Sequence, residues 1–231
     1  MKIKKDIIVN FLKEVRMSEL ENCLLEFKDK GLVISAKSIS NTHMSYGILP
    51  KTEFEDYRPL GNAGVDALGT LIKIFSRLGD VIEFDIKGNL LTAKGKSMEL
   101  QFPLTDEKFI DNNGELPEFD NETTFTMSTN RIKQFISDVT VNKDFHIIFE
   151  TVDGGVKMKN TGKFKFTYNE DASDAKGGCV AKMGKPFINI MNNITKDDVV
   201  IGLKNQYPIS ITHDAENYTV SFIIAPIVDN E

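Results

Sequence analysis

Convergent catalytic chemistry is what this sequence most plainly lacks. Of its 231 residues three are histidine and two are cysteine. His43, His146 and His213 are scattered, each in or beside a strand-like run, with no cysteine or carboxylate at metal-ligand spacing. Cys23 and Cys179 stand far apart, form no Cys-x-x-Cys, and suit a reducing compartment as buried small hydrophobes. There is no Gly-x-Ser-x-Gly elbow. Gly178-Cys-Val-Ala-Lys-Met-Gly184-Lys185-Pro186 imitates a phosphate loop, but five residues separate its glycines where four are needed. Pro186 also stands where a hydroxyl must hold magnesium, and it has neither that hydroxyl nor an N–H. No enzyme, no cofactor and no metal site are therefore expected.

Long apolar runs are missing too. Nothing approaches the roughly 18 consecutive apolar residues of a membrane span, so no membrane partner is expected. The N-terminal Met-Lys-Ile-Lys-Lys leads into apolar residues broken up by Asn10, Lys13 and Glu14, unlike a secretory signal. A cytoplasmic location is expected. Positive charge is scarce as well: 28 Lys and Arg against 34 Asp and Glu give a net charge of −6. That argues against a nucleic-acid partner unless the basic residues gather on one surface and the acids on another. An aromatic-rich stacking strand, a zinc pattern and a recognition-helix signature are all absent.

What is present is a repeat. With 41% hydrophobic and 27% charged residues the chain can bury a sizeable core, as one large or two modest domains. In Asp6–Arg16, residues Ile7, Ile8, Phe11, Leu12 and Val15 share one side of a helix. Lys5, Lys13 and Arg16 gather in a separate sector about 80° wide. Strand-like runs follow at Glu21–Phe27, Leu32–Ala36 and Thr42–Leu49, then a polar loop over Lys51–Gly61. A second periodic segment opens at Gly64 and Val65, with Lys73 and Arg77 on its polar face and Gly79 as its expected stop. Val81–Ile86, Leu90–Ala93 and Met98–Phe102 read as strands, the first two joined by a tight Lys-Gly-Asn turn.

Residues 105–119 are polar and acidic and read as a connector between domains at 1–104 and 120–231. The second half repeats the first. A strand over Thr123–Met127 leads through Ser128, an expected N-cap, into a helix carrying Arg131, with Lys133 to one side. Strands are expected at Phe145–Glu150, Val156–Lys159 and Lys163–Tyr168, the first two joined through Asp-Gly-Gly. Val180–Met183 leads into a fourth helix with Pro186 in its first turn and Lys185, Asn189 and Lys196 facing outward. Val199–Leu203, Ile209–His213 and Thr219–Ile224 close the chain. The period is about 115 residues, two helix-plus-strands units per half.

Ser40-Asn41-Thr42-His43-Met44-Ser45, Tyr207-Pro208-Ile209 and Ile223-Ile224-Ala225-Pro226 then gain meaning together with this layout. They are similar to the Ser-Ser-His-Val-Ser strand, the Val-Pro-Leu and the Tyr-Leu-Ala-Pro tail of the DNA sliding clamps. That family includes proliferating cell nuclear antigen and the clamps of archaea and tailed phages, and the N-terminus and short loops look closest to phage clamps. The resemblance implies an α+β DNA-clamp fold, each half a pair of β-α-β-β-β units. It implies a homotrimeric ring around duplex DNA, helices lining the hole and sheets outside, serving a DNA polymerase and opened by a clamp loader ATPase. Lys5, Lys13, Arg16, Lys73, Arg77, Arg131, Lys185, Asn189 and Lys196 would then face DNA. Partner peptides would dock on Met44, Tyr46, Pro208, Ile223, Ala225 and Pro226. The subunit interface would use Met98, Leu100 and Phe102 of one copy and Phe164 and Phe166 of the next. The family's aromatic is absent at Ile223, and amides replace charge at Asn189, Asn192 and Asn193. A non-enzymatic β-rich scaffold protein of a phage or virus is the alternative that the repeat alone allows.

Overall fold

Residues 1–16, 20–38, 40–110, 114, 116–117, 119–141 and 143–227 are described by the computed structural model. The chain divides into two units, Met1–Leu116 with Asp214–Val220 and Pro117–His213 with Ser221–Glu231. The division falls within the acidic segment, but the short return segment joins the first unit where the sequence assigns it to the second. Two contacts hold it there. The Tyr218 ring lies 5.4 Å from that of Phe11, and the Asn217 amide donates to Glu53 Oε2 at 2.9 Å.

The first unit runs β1 (Lys2–Lys4), α1 (Lys5–Arg16), β2 (Cys23–Lys28), β3 (Gly31–Lys37), β4 (His43–Pro50) and the two-residue β5 (Phe54–Glu55). It continues β6 (Gly61–Val65), α2 (Leu68–Phe75), β7 (Val81–Lys87), β8 (Leu90–Lys94) and β9 (Glu99–Pro103). One sheet has the order β5-β1-β7-β8-β9, and β4-β3-β2-β6 lie side by side in another. The second unit runs β10 (Thr123–Ser128), α3 (Thr129–Thr140), β11 (Ile147–Val152), β12 (Gly155–Asn160) and β13 (Thr167–Asp171). It ends β14 (Val180–Met183), α4 (Lys185–Asn193), β15 (Asp198–Leu203), β16 (Ile209–Asp214) and β17 (Thr219–Ile224). Its sheets are β13-β12-β11-β14 and β10-β15-β16-β17. A β-α-β-β-β unit thus occurs four times, twice in each compact unit. The two leading strands of the first unit, β1 and β6, are invisible to periodicity because they are short and, in β6, glycine-rich.

Helix and sheet meet at small residues. β4 alternates, burying His43, Ser45, Gly47 and Leu49 while Met44, Tyr46 and Ile48 are half-buried on its other face. A Cβ on Gly47 would lie 2.4 Å from Val15 Cγ2 and 2.7 Å from Phe11 Cε2, so only glycine admits α1 at this depth. Ser45 Oγ donates to the Val15 carbonyl at 2.8 Å, satisfying an acceptor of the last helical turn. The apolar face of α1 is wider than its expected stripe, with Val9 and Glu14 also buried, because the helix packs on α2 as well as on β3 and β4.

Three sequence expectations shift. The segment opening at Gly64 belongs to β6, where Gly64 pairs with Leu24 and a Cβ would lie 2.2 Å from the Thr105 carbonyl oxygen. Helix α2 therefore begins at Leu68, and it ends at Phe75 rather than at Gly79, with Ser76 Oγ donating to the Ile72 carbonyl at 2.8 Å. Ser128 occupies the N-cap of α3 but its side chain makes no capping bond; the Thr129 N–H donates to the Asp197 carbonyl at 2.7 Å instead. The strand expected at Lys163–Tyr168 lies at Thr167–Asp171. Before it, the Asn160 side chain donates to the Phe164 carbonyl and accepts from the Phe166 N–H, both at 2.7 Å. Backbone groups bonded to a side chain do not enter the ladder. Phe164 and Phe166 thus sit in a loop, and Met98 just precedes β9.

The Gly47 contact sets an expectation. Gly47→Ala should lower stability by roughly 1–3 kcal/mol, the range for overpacking a tight core site. The urea midpoint of the variant, at unchanged m-value, measures it.

Candidate nucleic-acid interface

Each helix buries an apolar face and leaves a polar one, and the cations of that polar face fall into two kinds. In the first unit Lys13 and Lys73 are exposed on α1 and α2, and Arg77 is exposed in the turn that follows α2. Among the described residues none of the three makes an ion pair. Lys5 is half-buried between Asp6 and Asp80, each 4.0 Å away. Arg16 is committed. Its Nη2 pairs with Glu21, and its Nε donates to the Leu20 carbonyl at 3.2 Å. Glu21 Oε2 in turn accepts the Gly69 N–H at 2.8 Å, and its carbonyl accepts the Leu68 N–H at 3.0 Å. Arg16 thereby ties the end of α1 to the start of α2. A Cβ on Gly69 would meet Arg16 Nη2 at 2.6 Å, so a side chain there would push the Arg16 tip aside.

The second unit divides in the same way. Lys185 is exposed at the start of α4, and Lys196 is half-buried beyond its end. Neither makes an ion pair among the described residues. Asn189 is half-buried, and its carbonyl accepts the Asn193 amide at 3.0 Å. Arg131 is committed: Nη2 reaches Glu170 Oε1 at 2.6 Å, and Nε reaches both carboxylate oxygens at 3.1 and 3.2 Å. Nη1 donates to Gln134 Oε1 at 2.8 Å, and the guanidinium lies 4.9 Å from the centre of the Tyr168 ring. Tyr168 donates its hydroxyl to Asp138, and this bond, then burial, pushes its phenol above the ordinary value. Lys133 ties the two helices, donating to the Ile194 carbonyl at 2.6 Å. Arg16 and Arg131 are thus structural clamps as well as surface cations, while five expected residues, Lys13, Lys73, Arg77, Lys185 and Lys196, carry charge without an ion-pair partner.

Sequence reasoning names none of the acids involved. Gln134 is visible at i+3 from Arg131, but Glu170 is 39 residues away and signals nothing by spacing. Other chemistry is not assembled. Among the described residues no group of three or more His, Cys, Asp or Glu side chains is placed to hold a metal. His43 and His213 are buried and His146 is exposed beside Asp144.

Comparison with known proteins supplies the fold's name. No family model matches the chain, and no curated protein matches it significantly. Among solved structures, the chain is similar to the PCNA (proliferating cell nuclear antigen) of A. fulgidus, with the C-terminal region of FEN-1 bound to it. The TM-score is 0.88 at 18% identity, over 100% of this chain and 98% of that one. The PCNA of Entamoeba histolytica gives a TM-score of 0.84 at 16% identity, over 98% of each chain. This is the sliding-clamp fold.

In this clamp fold the remaining expected residues are placed as follows. Met44 and Tyr46 are half-buried on β4 in the first unit, where Lys30 Nζ donates to the Tyr46 hydroxyl at 2.8 Å. In the second unit Pro208 and Pro226 are half-buried, Ala225 is exposed and Ile223 is 7% exposed. Leu100 and Phe166 are half-buried, Phe102 is buried, and Met98 and Phe164 are exposed. β9 is an outer strand of the first unit's five-stranded sheet, and β13 of the second unit's four-stranded sheet.

The Arg16–Glu21–Gly69 tie has a pH signature. Burial pushes the Glu21 carboxyl up, but the Gly69 N–H and Arg16 outweigh it and hold the group below its ordinary 4.5. A lowered folded-state value stabilises at pH above the ordinary value and is lost as pH falls through the lowered one. Glu21→Gln should therefore melt below the parent protein at pH 7, with the gap closing on acidification below 4.5. Calorimetric melting of both proteins across that range checks the sign.

Proposed function

We propose that this chain is a DNA polymerase sliding clamp, a homotrimeric ring that encircles duplex DNA and holds the polymerase to its template without catalysis of its own. The observation that carries the reading is the likeness to two PCNA structures over essentially the whole chain, at TM-scores of 0.88 and 0.84. It is supported by cations on or just beyond the helices of both units that make no ion pair among the described residues. Lys13, Lys73, Arg77, Lys185 and Lys196 offer diffuse positive charge with no base-reading geometry, which suits phosphate contact that holds no register. A net charge of −6 is compatible with this, since acids elsewhere do not neutralise a gathered lining.

On this reading the ring opens by a clamp loader ATPase, works in the cytoplasm (the host's, for a phage) and has no membrane partner. The relative that carries the FEN-1 C-terminal region supports peptide capture as the mode by which partners attach. Met44 and Tyr46 with Pro208, Ile223, Ala225 and Pro226 are the residues we assign to it.

Charge reversal tests the lining. Lys13, Lys73, Arg77 and Lys185 changed together to Glu should shorten polymerase runs by about tenfold or more, with trimer mass unchanged by sedimentation. Equal loss on reversing lysines of the outer sheets, or a parent protein that stays monomeric at micromolar concentration, would overturn the reading.

A further inference from the structure

Lys163-Phe164-Lys165-Phe166 alternates as a strand would, with both phenyl rings on one face. The structure makes it a loop between β12 and β13 instead, and Phe164 comes out into solvent at 58% exposure. Phe145, two residues before β11, is 43% exposed. Single apolar side chains at a surface call for no explanation, but two bare rings on adjoining segments form a patch, and patches mark contact surfaces.

The buried Asp144 joins the two segments. Its Oδ1 accepts the His146 N–H at 3.0 Å, and its Oδ2 accepts the Gly162 N–H and, at 3.0 Å, the Asn160 amide. Asn160, also buried, donates to the Phe164 carbonyl and accepts from the Phe166 N–H, both at 2.7 Å. One hydrogen-bonded chain therefore runs from the segment after α3 to both sides of Phe164, and it fixes the loop before anything binds. A pre-ordered loop loses little freedom on contact.

Charge around the rings is of one sign. Lys143, Lys163 and Lys165 are exposed and, among the described residues, make no ion pair. Lys163 Nζ lies 5.9 Å from the centre of the Phe164 ring. Lys165 Nζ donates to the Thr161 carbonyl at 2.8 Å, a neutral partner that leaves its charge uncancelled. Residues 141–146 and 160–166 hold a single carboxylate, that of Asp144. Burial raises this carboxyl, but the His146 N–H, the Asn160 amide and the Gly162 N–H outweigh it and hold the group below its ordinary 3.8. Its charge is thus spent on those donors, and three exposed lysines leave the patch positive.

Shape and charge together say what such a patch takes. The anchor side chain of a peptide needs a hole to enter, and here the apolar groups are knobs. Exposed rings between lysines offer flat faces for bases and ammonium groups for the phosphates that join them, the two components that hold single strands without reading their sequence. Bases in a duplex are stacked on one another and present no face to such a ring. We propose that Phe145 and Phe164, framed by Lys143, Lys163 and Lys165, form a binding patch for single-stranded nucleic acid, held by base stacking and phosphate contact. It is a second nucleic-acid surface on residues that belong to no helix, and it lies wholly within the second unit, so it does not rest on the clamp reading.

Fluorescence anisotropy of a labelled oligothymidylate, read on the full chain at low salt, tests the patch. The parent should bind it, and Phe164→Ala should weaken binding by about tenfold or more, the loss expected for one stacked base, with the melting of the protein unchanged. Lys163→Gln with Lys165→Gln should flatten the slope of log affinity against log salt by about 1.4, the share of two single-strand phosphate contacts. The chain has no tryptophan, so Phe164→Trp introduces a lone reporter. Its emission should be quenched by oligothymidylate and left alone by heparin, a polyanion without bases. Equal binding by Phe164→Ala and the parent, or an equal loss in Lys87→Gln at an exposed site of the first unit, overturns the patch. So does a parent that binds phosphatidylserine vesicles or polyglutamate but no oligothymidylate. A reporter already shielded from iodide without ligand overturns it as well, since a second copy would then cover the ring. None of these outcomes touches trimer mass, so the clamp reading stands or falls separately.

Discussion

Helix-on-sheet packing at close range is the constraint on which the rest of this molecule depends. In the first unit α1 sits so near β4 that Gly47 has no room for a Cβ between Phe11 and Val15. At that depth the helix reaches its sheet, its partner helix and the Ser45 hydroxyl together, and most of its circumference is covered. What remains is a narrow polar strip. Any function of the helix faces must be carried by the few side chains on that strip, which is why the fate of each cation matters more than their total.

That fate differs between arginine and lysine. Arg131 uses its planar fork to hold the Glu170 carboxylate of β13, and Arg16 spreads its fork over the Glu21 carboxylate and the Leu20 carbonyl, a geometry that the lysine ammonium does not match. Among the described residues Lys13, Lys73 and Lys185 stay outside such pairs. A lysine is a hydrated point charge on a flexible stem, able to follow a phosphate backbone without fixing an orientation. The arginines therefore shape the surface that the lysines furnish. On the proposed reading, diffuse and replaceable contacts are the useful kind, since directional ones would hold the protein at a register.

The sequence made the helices, most strands and the repeat legible because each depends on residues close in the chain. α1, α3 and α4 follow from apolar spacing, and the β7–β8 and β11–β12 hairpins follow from Gly88 and Gly154, which adopt φ of +60° and +75° in their turns. β6 was not legible: its Gly64 reads as the lead-in to a helix, and what leaves no room for a Cβ there is Thr105, 41 residues on. The position of β13 was hidden for a similar reason, because the Asn160 side chain takes the hydrogen bonds that residues 164–166 would otherwise give to a ladder. Of the surface, residue types could be assigned to helix faces but not to partners. Nothing in the spacing of Arg16 and Glu21, or of Arg131 and Glu170, separates a structural cation from a free one.

Net charge is the poorest guide of all. A value of −6 says that acids outnumber bases, yet it averages over surfaces with opposite tasks. Lys163 and Lys165 stand on the loop between β12 and β13, which has no acid of its own and is held by the buried Asp144 of the segment after α3, so the loop presents positive charge to whatever approaches it. Asp106 and Glu107 do the reverse beside β9. The same total charge could be shuffled among these positions without changing composition at all. Where charge sits on the surface is therefore information that a composition discards.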